Sequence, residues 1–92
     1  MFKLFTTSDN TVSYTSDELK FELRGNRTGV FQANVSSGDS VTLQSRIDNS
    51  FDWVDVVTIA DANDIQEVIL SPYFRVVVTN TSGNALVAGL HG

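Results

Sequence analysis

The sequence predicts an all-β fold: an antiparallel β-sandwich of about seven or eight strands with jelly-roll or Greek-key connections. Three observations predict it. Short stretches alternate apolar and polar residues, as in Val41-Thr42-Leu43-Gln44-Ser45-Arg46-Ile47 and Phe74-Arg75-Val76-Val77-Val78-Thr79, which marks strands burying one face and wetting the other. These stretches recur about every 8–12 residues with turn signals between them. No long segment carries a helical period.

Taken in order, residues 1–5 read as a short strand or an extended arm, followed by a polar stretch over residues 6–10. The chain thus divides into an N-terminal arm or short strand, residues 1–10, and a β-sandwich domain, residues 11–92. Val12 and Tyr14 mark a short strand. Leu19, Phe21 and Leu23 alternate with Lys20, Glu22 and Arg24 in a half-buried one, and Gly25-Asn26 opens a turn, since both residues tolerate a left-handed backbone.

Residues 30–35 form the next strand, with Phe31, Ala33 and Val35 on one face. Ser36-Ser37-Gly38-Asp39 then reads as a hairpin loop to the strand carrying Val41, Leu43, Ser45 and Ile47 on one face. Residues 53–59 are apolar on both sides at Val56-Val57, which predicts a central strand. Residues 61–64 are a loop with room for one helical turn into Ile65, and residues 68–70 a short strand stopped by Ser71-Pro72. Residues 73–79 and 86–90 read as a final hairpin around Asn80-Thr81-Ser82-Gly83-Asn84. The predicted core is Leu19, Phe21, Leu23, Phe31, Val41, Leu43, Ile47, Trp53, Val56, Leu70, Phe74, Val76, Val78 and Leu86.

A chain of 92 residues holds one core, and a domain of this size buries only about 60–65% of its unfolded surface. Small β-rich domains draw support from disulfides, metals or self-association. With no cysteine in the chain, self-association is the supplement the sequence favours. Six basic residues against eleven acidic ones give a net charge of −5, which opposes binding to phosphate backbones. The opening Met1-Phe2-Lys3-Leu4-Phe5 turns polar at Thr6, too early for a secretion signal, and no apolar run reaches membrane-spanning length. The expectation is a soluble chain that binds neither nucleic acid nor membrane.

Reactive chemistry is sparse. His91 is the only histidine and the second-to-last residue, where chains fray, whereas a catalytic imidazole needs a fixed partner. Asp48, Asp52, Asp55, Asp61 and Asp64 cluster in sequence, but their spacing misses the EF-hand loop, so turn-forming and solvating roles are expected. Trp53 invites a sugar-stacking role, yet the lone tryptophan of a small sandwich is usually its largest core residue. Three Asn-x-Ser/Thr matches, at Asn26, Asn34 and Asn80, arise by chance in a chain so rich in these residues. No enzyme activity, cofactor or metal is expected. Tyr73, Arg75 and Val77 share a mixed strand face of the kind that suits a subunit interface; an Arg75 ion pair to a neighbouring strand's acid explains that face equally well. Phe2, Leu4 and Phe5, large apolar residues near a free end, are further interface candidates.

The run Gly38-Asp39-Ser40-Val41-Thr42-Leu43-Gln44-Ser45-Arg46, then Trp53-Val54, then Pro72-Tyr73-Phe74-Arg75-Val76-Val77-Val78-Thr79 resembles small structural proteins of tailed-phage particles. The likeness spans residues 38–89 and consists of strand-and-turn patterns. It implies a non-enzymatic virion component, a capsid decoration or cement protein that oligomerises, as a trimer in such proteins, and binds the major capsid protein. The implied location is the capsid surface, after assembly in the host cytoplasm. A clamp through the loops and residues 1–10 is the mechanism expected from this likeness. A carbohydrate-binding or adhesion module of a phage tail or cell-surface assembly is the alternative.

Overall fold

The computed structural model describes residues 2–8, 13–21, 25 and 27–92. Among these, nine strands run in the order β1 (Phe2–Ser8), β2 (Tyr14–Thr15), β3 (Leu19–Lys20), β4 (Thr28–Asn34), β5 (Ser40–Arg46), β6 (Val54–Ala60), β7 (Asp64–Ile69), β8 (Tyr73–Thr79) and β9 (Leu86–His91). Seven are six or seven residues long, and β2 and β3 have two residues each.

The strands form two antiparallel sheets. Sheet A has the order β1-β9-β4-β7, and sheet B the order β2-β8-β5-β6, with β3 also paired to β8. The pairing is nested. β1 pairs with β9, β2 and β3 with β8, β4 with β7, and β5 with β6. The chain is thus one long folded hairpin, rolled so that β9 also meets β4 and β8 also meets β5. Treating β2 and β3 as one interrupted position, this is the eight-position jelly roll. The sequence allowed this topology without choosing it over other Greek keys.

The core lies between the sheets. Phe31, Val41, Leu43, Phe74, Val76, Val78, Leu86, Ala88 and Leu90 are almost wholly buried, joined by Phe21, Ala33, Val35, Ile59, Val68 and Leu70. Phe21 meets Phe74 edge-on, with ring centroids 5.6 Å apart at 81°, a favoured aromatic arrangement. In β4 and β8 the burial alternates strictly, as the period-2 pattern requires.

Two predicted hairpins are not hairpins. β4 and β5 lie in different sheets, as do β8 and β9, so the loops after Val35 and Thr79 are crossings from one sheet to the other. Local alternation reads the same in both cases; only the nesting of distant strands decides. The predicted central strand over residues 53–59 is the sheet-B edge strand β6. Val56 is its extra residue where the register slips between Leu43 and Gln44, so the bulge leaves it on the surface rather than in the core. Ile47 also leaves the core. β5 ends at Arg46, and Ile47 stands 62% exposed in the loop that follows. Trp53 and Leu19 are only half buried. Leu23 lies outside the described residues. Residues 61–70 contain no helical turn; instead β7 begins at Asp64.

Both chain ends are held in sheet A, and the C-terminal one differs from expectation. The backbone of Phe2–Ser8 is an edge strand of sheet A, in register with β9 from Phe2↔His91 to Ser8↔Leu86. β9 itself lies between β1 and β4, so His91 is held within a sheet and is not a frayed terminus. Gly29 explains how tightly: a Cβ there would stand 2.5 Å from the His91 carbonyl oxygen and 2.8 Å from Leu70 Cδ2. Only glycine lets β4 run this close to the chain's end.

Candidate functional site

The sandwich has two ends of contrasting chemistry. One end gathers the β4–β5, β6–β7 and β8–β9 connections into a hydrogen-bonded plug centred on Asp39, which is only 2% exposed. Its carboxylate accepts from the Thr81 and Ser82 backbone amides at 2.8 and 3.0 Å and from the Ser82 hydroxyl at 2.5 Å. Thr81 Oγ1 also donates to the Gly38 carbonyl at 3.0 Å. Asn80, 1% exposed, closes its own loop by donating to the Asn84 carbonyl and accepting from the Gly83 amide. The β4–β5 and β8–β9 loops are therefore packed on each other.

The β6–β7 turn joins the same plug. Asp61 has a positive φ of 62°, a conformation Asp tolerates better than most residues, and its carboxylate accepts from the Gly38 amide at 2.7 Å. Asn63 Oδ1 accepts from the Val35 amide. The hydrogen bonds from the Ser82 hydroxyl and then the Thr81 and Ser82 amides hold the Asp39 carboxyl below its usual range, against the opposing effect of desolvation. Both buried polar side chains, Asp39 and Asn80, find their partners in these loops, so the plug reads as a rivet between sheets and not as a ligand site.

The opposite end carries apolar side chains. The β5–β6 loop is shaped by Asp48, whose carboxylate accepts from the Ser50 amide and hydroxyl at 2.9 and 2.8 Å, while its carbonyl accepts from the Phe51 amide. These bonds hold the Asp48 carboxyl below its ordinary value, the Ser50 amide most of all. Ile47, Phe51 and Val54 all stand more than half exposed on this loop and the strand after it.

The clustered aspartates do not converge. Asp48 bonds Ser50, Asp55 accepts from Gln44 at 2.8 Å, Asp61 bonds Gly38, and Asp64 accepts from Gln66 and Ile65. Among the described residues, no three His, Cys, Asp or Glu side chains gather as metal ligands would.

Trp53 lies on the outer face of sheet B, not in the core. The Arg46 and Arg75 guanidinium carbons stand 4.4 and 4.6 Å from its ring centroid, a cation–π distance for both. Arg75 Nε donates to Gln44 Oε1 at 2.7 Å, and Gln44 passes the contact on to Asp55. Arg46 bridges to Glu18 at 2.9 Å and donates to the Phe51 carbonyl, while its Nε is buried without an acceptor. Thr42 and Thr58 share a hydroxyl hydrogen bond of 2.8 Å on the same face. The sequence placed Tyr73, Arg75 and Val77 on one face, and the structure does so, each half buried. It adds that Arg75 reaches its acid through Gln44 rather than by a direct ion pair. This face is largely satisfied within the chain. The side chains of Phe2, Leu4, Phe5 and Tyr14 lie outside what the structure describes.

The outer face of sheet A is different. Register places Gly89, Gln32 and Ile65 in one row and His91, Val30 and Glu67 in the next, across β9, β4 and β7. Val87 and Asn34 precede these rows, and Thr28 and Ile69 follow them. Val30, Val87, Ile65 and Ile69 are 38%, 39%, 57% and 76% exposed. Val30, Gln32, Asn34, Ile65, Val87 and His91 line a concavity of about 500 Å³ on this face, with Gly89 supplying no side chain to fill it. Sequence reasoning missed this surface. Val30 and Val87 sit at strand positions whose apolar partners face the core, and nothing local says that the other face also carries apolar residues across three strands.

Comparison with protein-family models finds no match, and comparison with curated proteins finds none either.

Proposed function

We propose that the protein is a non-enzymatic assembly protein, a virion structural component of the decoration or cement type, acting through protein contacts. The outer face of sheet A carries this reading. An apolar strip on a sheet held by its neighbours on the core side is a surface that gains by being covered. Of the ionisable side chains described, only Glu67 and His91 fall in the rows of this face. Charge depletion around apolar residues is the signature of an interface core. The phage-like strand pattern over residues 38–89 supplies the virion context, with the major capsid protein as the implied partner on the particle.

The carbohydrate-binding alternative loses support at Trp53, because two guanidinium groups already lie on the indole ring a sugar would need. Immunogold electron microscopy of intact particles tests the proposal. A regular array of label on the head supports it; label confined to the tail tip, or none on particles, removes it.

A further inference from the structure

We infer that the partner covering the outer face of sheet A is a second copy of this chain, packed face to face about a two-fold axis running along β4. The inference rests on the reading of this face as a contact surface and goes further by naming what covers it.

The face is self-complementary about that axis. In sheet A, β4 has β9 on one side and β7 on the other. A two-fold axis along β4 lays β9 of one copy over β7 of the other, so each row meets its own reverse. In the row Gly89-Gln32-Ile65, Ile65 of the second copy then lies over β9 at the level of Gly89. Gln32 faces Gln32, and paired amides can each donate and accept. In the row His91-Val30-Glu67, Val30 meets Val30, while each His91 faces a Glu67. An imidazole N–H donates to a carboxylate, and a protonated one adds charge attraction.

Charge favours the same arrangement. The chain carries −5 overall, so most surfaces of two copies repel each other. This face holds one acid and one histidine, and the two-fold brings them together twice. Other registers lose this: an axis across the strands through Glu67 would set like charges opposite each other. Neither Glu67 nor His91 has an ion pair within its own chain among the described residues. Isologous packing of this kind closes as a dimer, whereas the phage resemblance implies a trimer. Aligned sheet packing tolerates the twist of both sheets at about 30°. A contact over three of the four strands of sheet A is small for a stable interface, so the dimer should form with a Kd on the order of micromolar.

Sedimentation equilibrium of the purified chain over rising concentration, without particles, tests this. Wild type should pass from monomer to dimer mass. Ile65→Asp, an exposed position whose change leaves the core intact, should stay monomeric with unchanged circular dichroism. Glu67→Arg and His91→Glu should each weaken the dimer about tenfold, and the double variant should recover most of the loss. A wild type that stays monomeric at about millimolar concentration, a trimer mass, or an Ile65→Asp variant that associates like wild type would each overturn the inference. Failure of the double variant to recover would overturn the two-fold register. A dimeric wild type found nowhere on particles would instead remove the virion reading and leave the dimer standing.

Discussion

Gly29→Ala is the change whose effect follows most directly from the geometry. The new Cβ would lie 2.5 Å from the His91 carbonyl oxygen, about an ångström inside ordinary contact, and 2.8 Å from Leu70 Cδ2. Leu70 can turn its methyl away; the carbonyl belongs to the backbone of β9, which is hydrogen-bonded on both sides. Relief therefore requires β4 and the end of β9 to separate. Overpacking of this kind costs about 1–3 kcal/mol. At about 4–8 °C per kcal/mol for a domain of this size, Tm should fall by roughly 5–20 °C. Gly25→Ala is the control. Gly25 has a φ of 86° and nothing within 4 Å of a Cβ, so its cost is backbone strain alone, about 1 kcal/mol. Asparagine, which tolerates that conformation, should recover part of the loss at residue 25 and none at residue 29. Thermal unfolding followed by far-ultraviolet circular dichroism measures all four variants. A Gly29→Ala protein melting within about 2 °C of wild type would refute the close approach of β4 to the chain's end.

Phe31→Ala empties a fully buried site between the sheets and should cost about 3–5 kcal/mol in urea unfolding. The folded-state pKa values of Asp39, Asp48 and Asp64 are depressed, so their stabilising contribution is full above the unfolded carboxylate range near 4 and is lost as pH falls through the folded values. Acid titration of stability should therefore show a decline beginning near pH 4, shallower in Asp39→Asn because one of the three groups no longer titrates. Arg75→Ala should uncover the Trp53 ring and increase acrylamide quenching of its fluorescence, at a stability cost of about 1 kcal/mol or less.

The sequence carried the fold class because burial in β4, β8 and the first half of β5 alternates with the chain, and alternation is local. It could not carry the sheet assignment. Gly38 and Gly83, at φ of 89° and 80°, mark turns, and a turn residue reads alike whether the chain returns to the same sheet or crosses to the other. Trp53 misled for a related reason: size favours burial, but here two arginines from β5 and β8 give the ring a polar cover on the outer face. Val56 misled because a bulge shifts register without any sequence mark. The outer face of sheet A is assembled from rows that cross three strands, joining Gln32 to residues more than thirty positions away in β7 and β9. Only the observed nesting brings those rows together.

The central claim is that the outer face of sheet A is the protein's contact surface. The chain has no cysteine, so a single introduced thiol reports accessibility without background. Maleimide labelling rates of Ile65→Cys, on sheet A, and Thr58→Cys, exposed on the outer side of sheet B, should be compared in dilute protein and in the assembled, particle-bound state. The account predicts strong protection of residue 65 on assembly and little change at residue 58. Protection at residue 58 with residue 65 still freely reactive would contradict it.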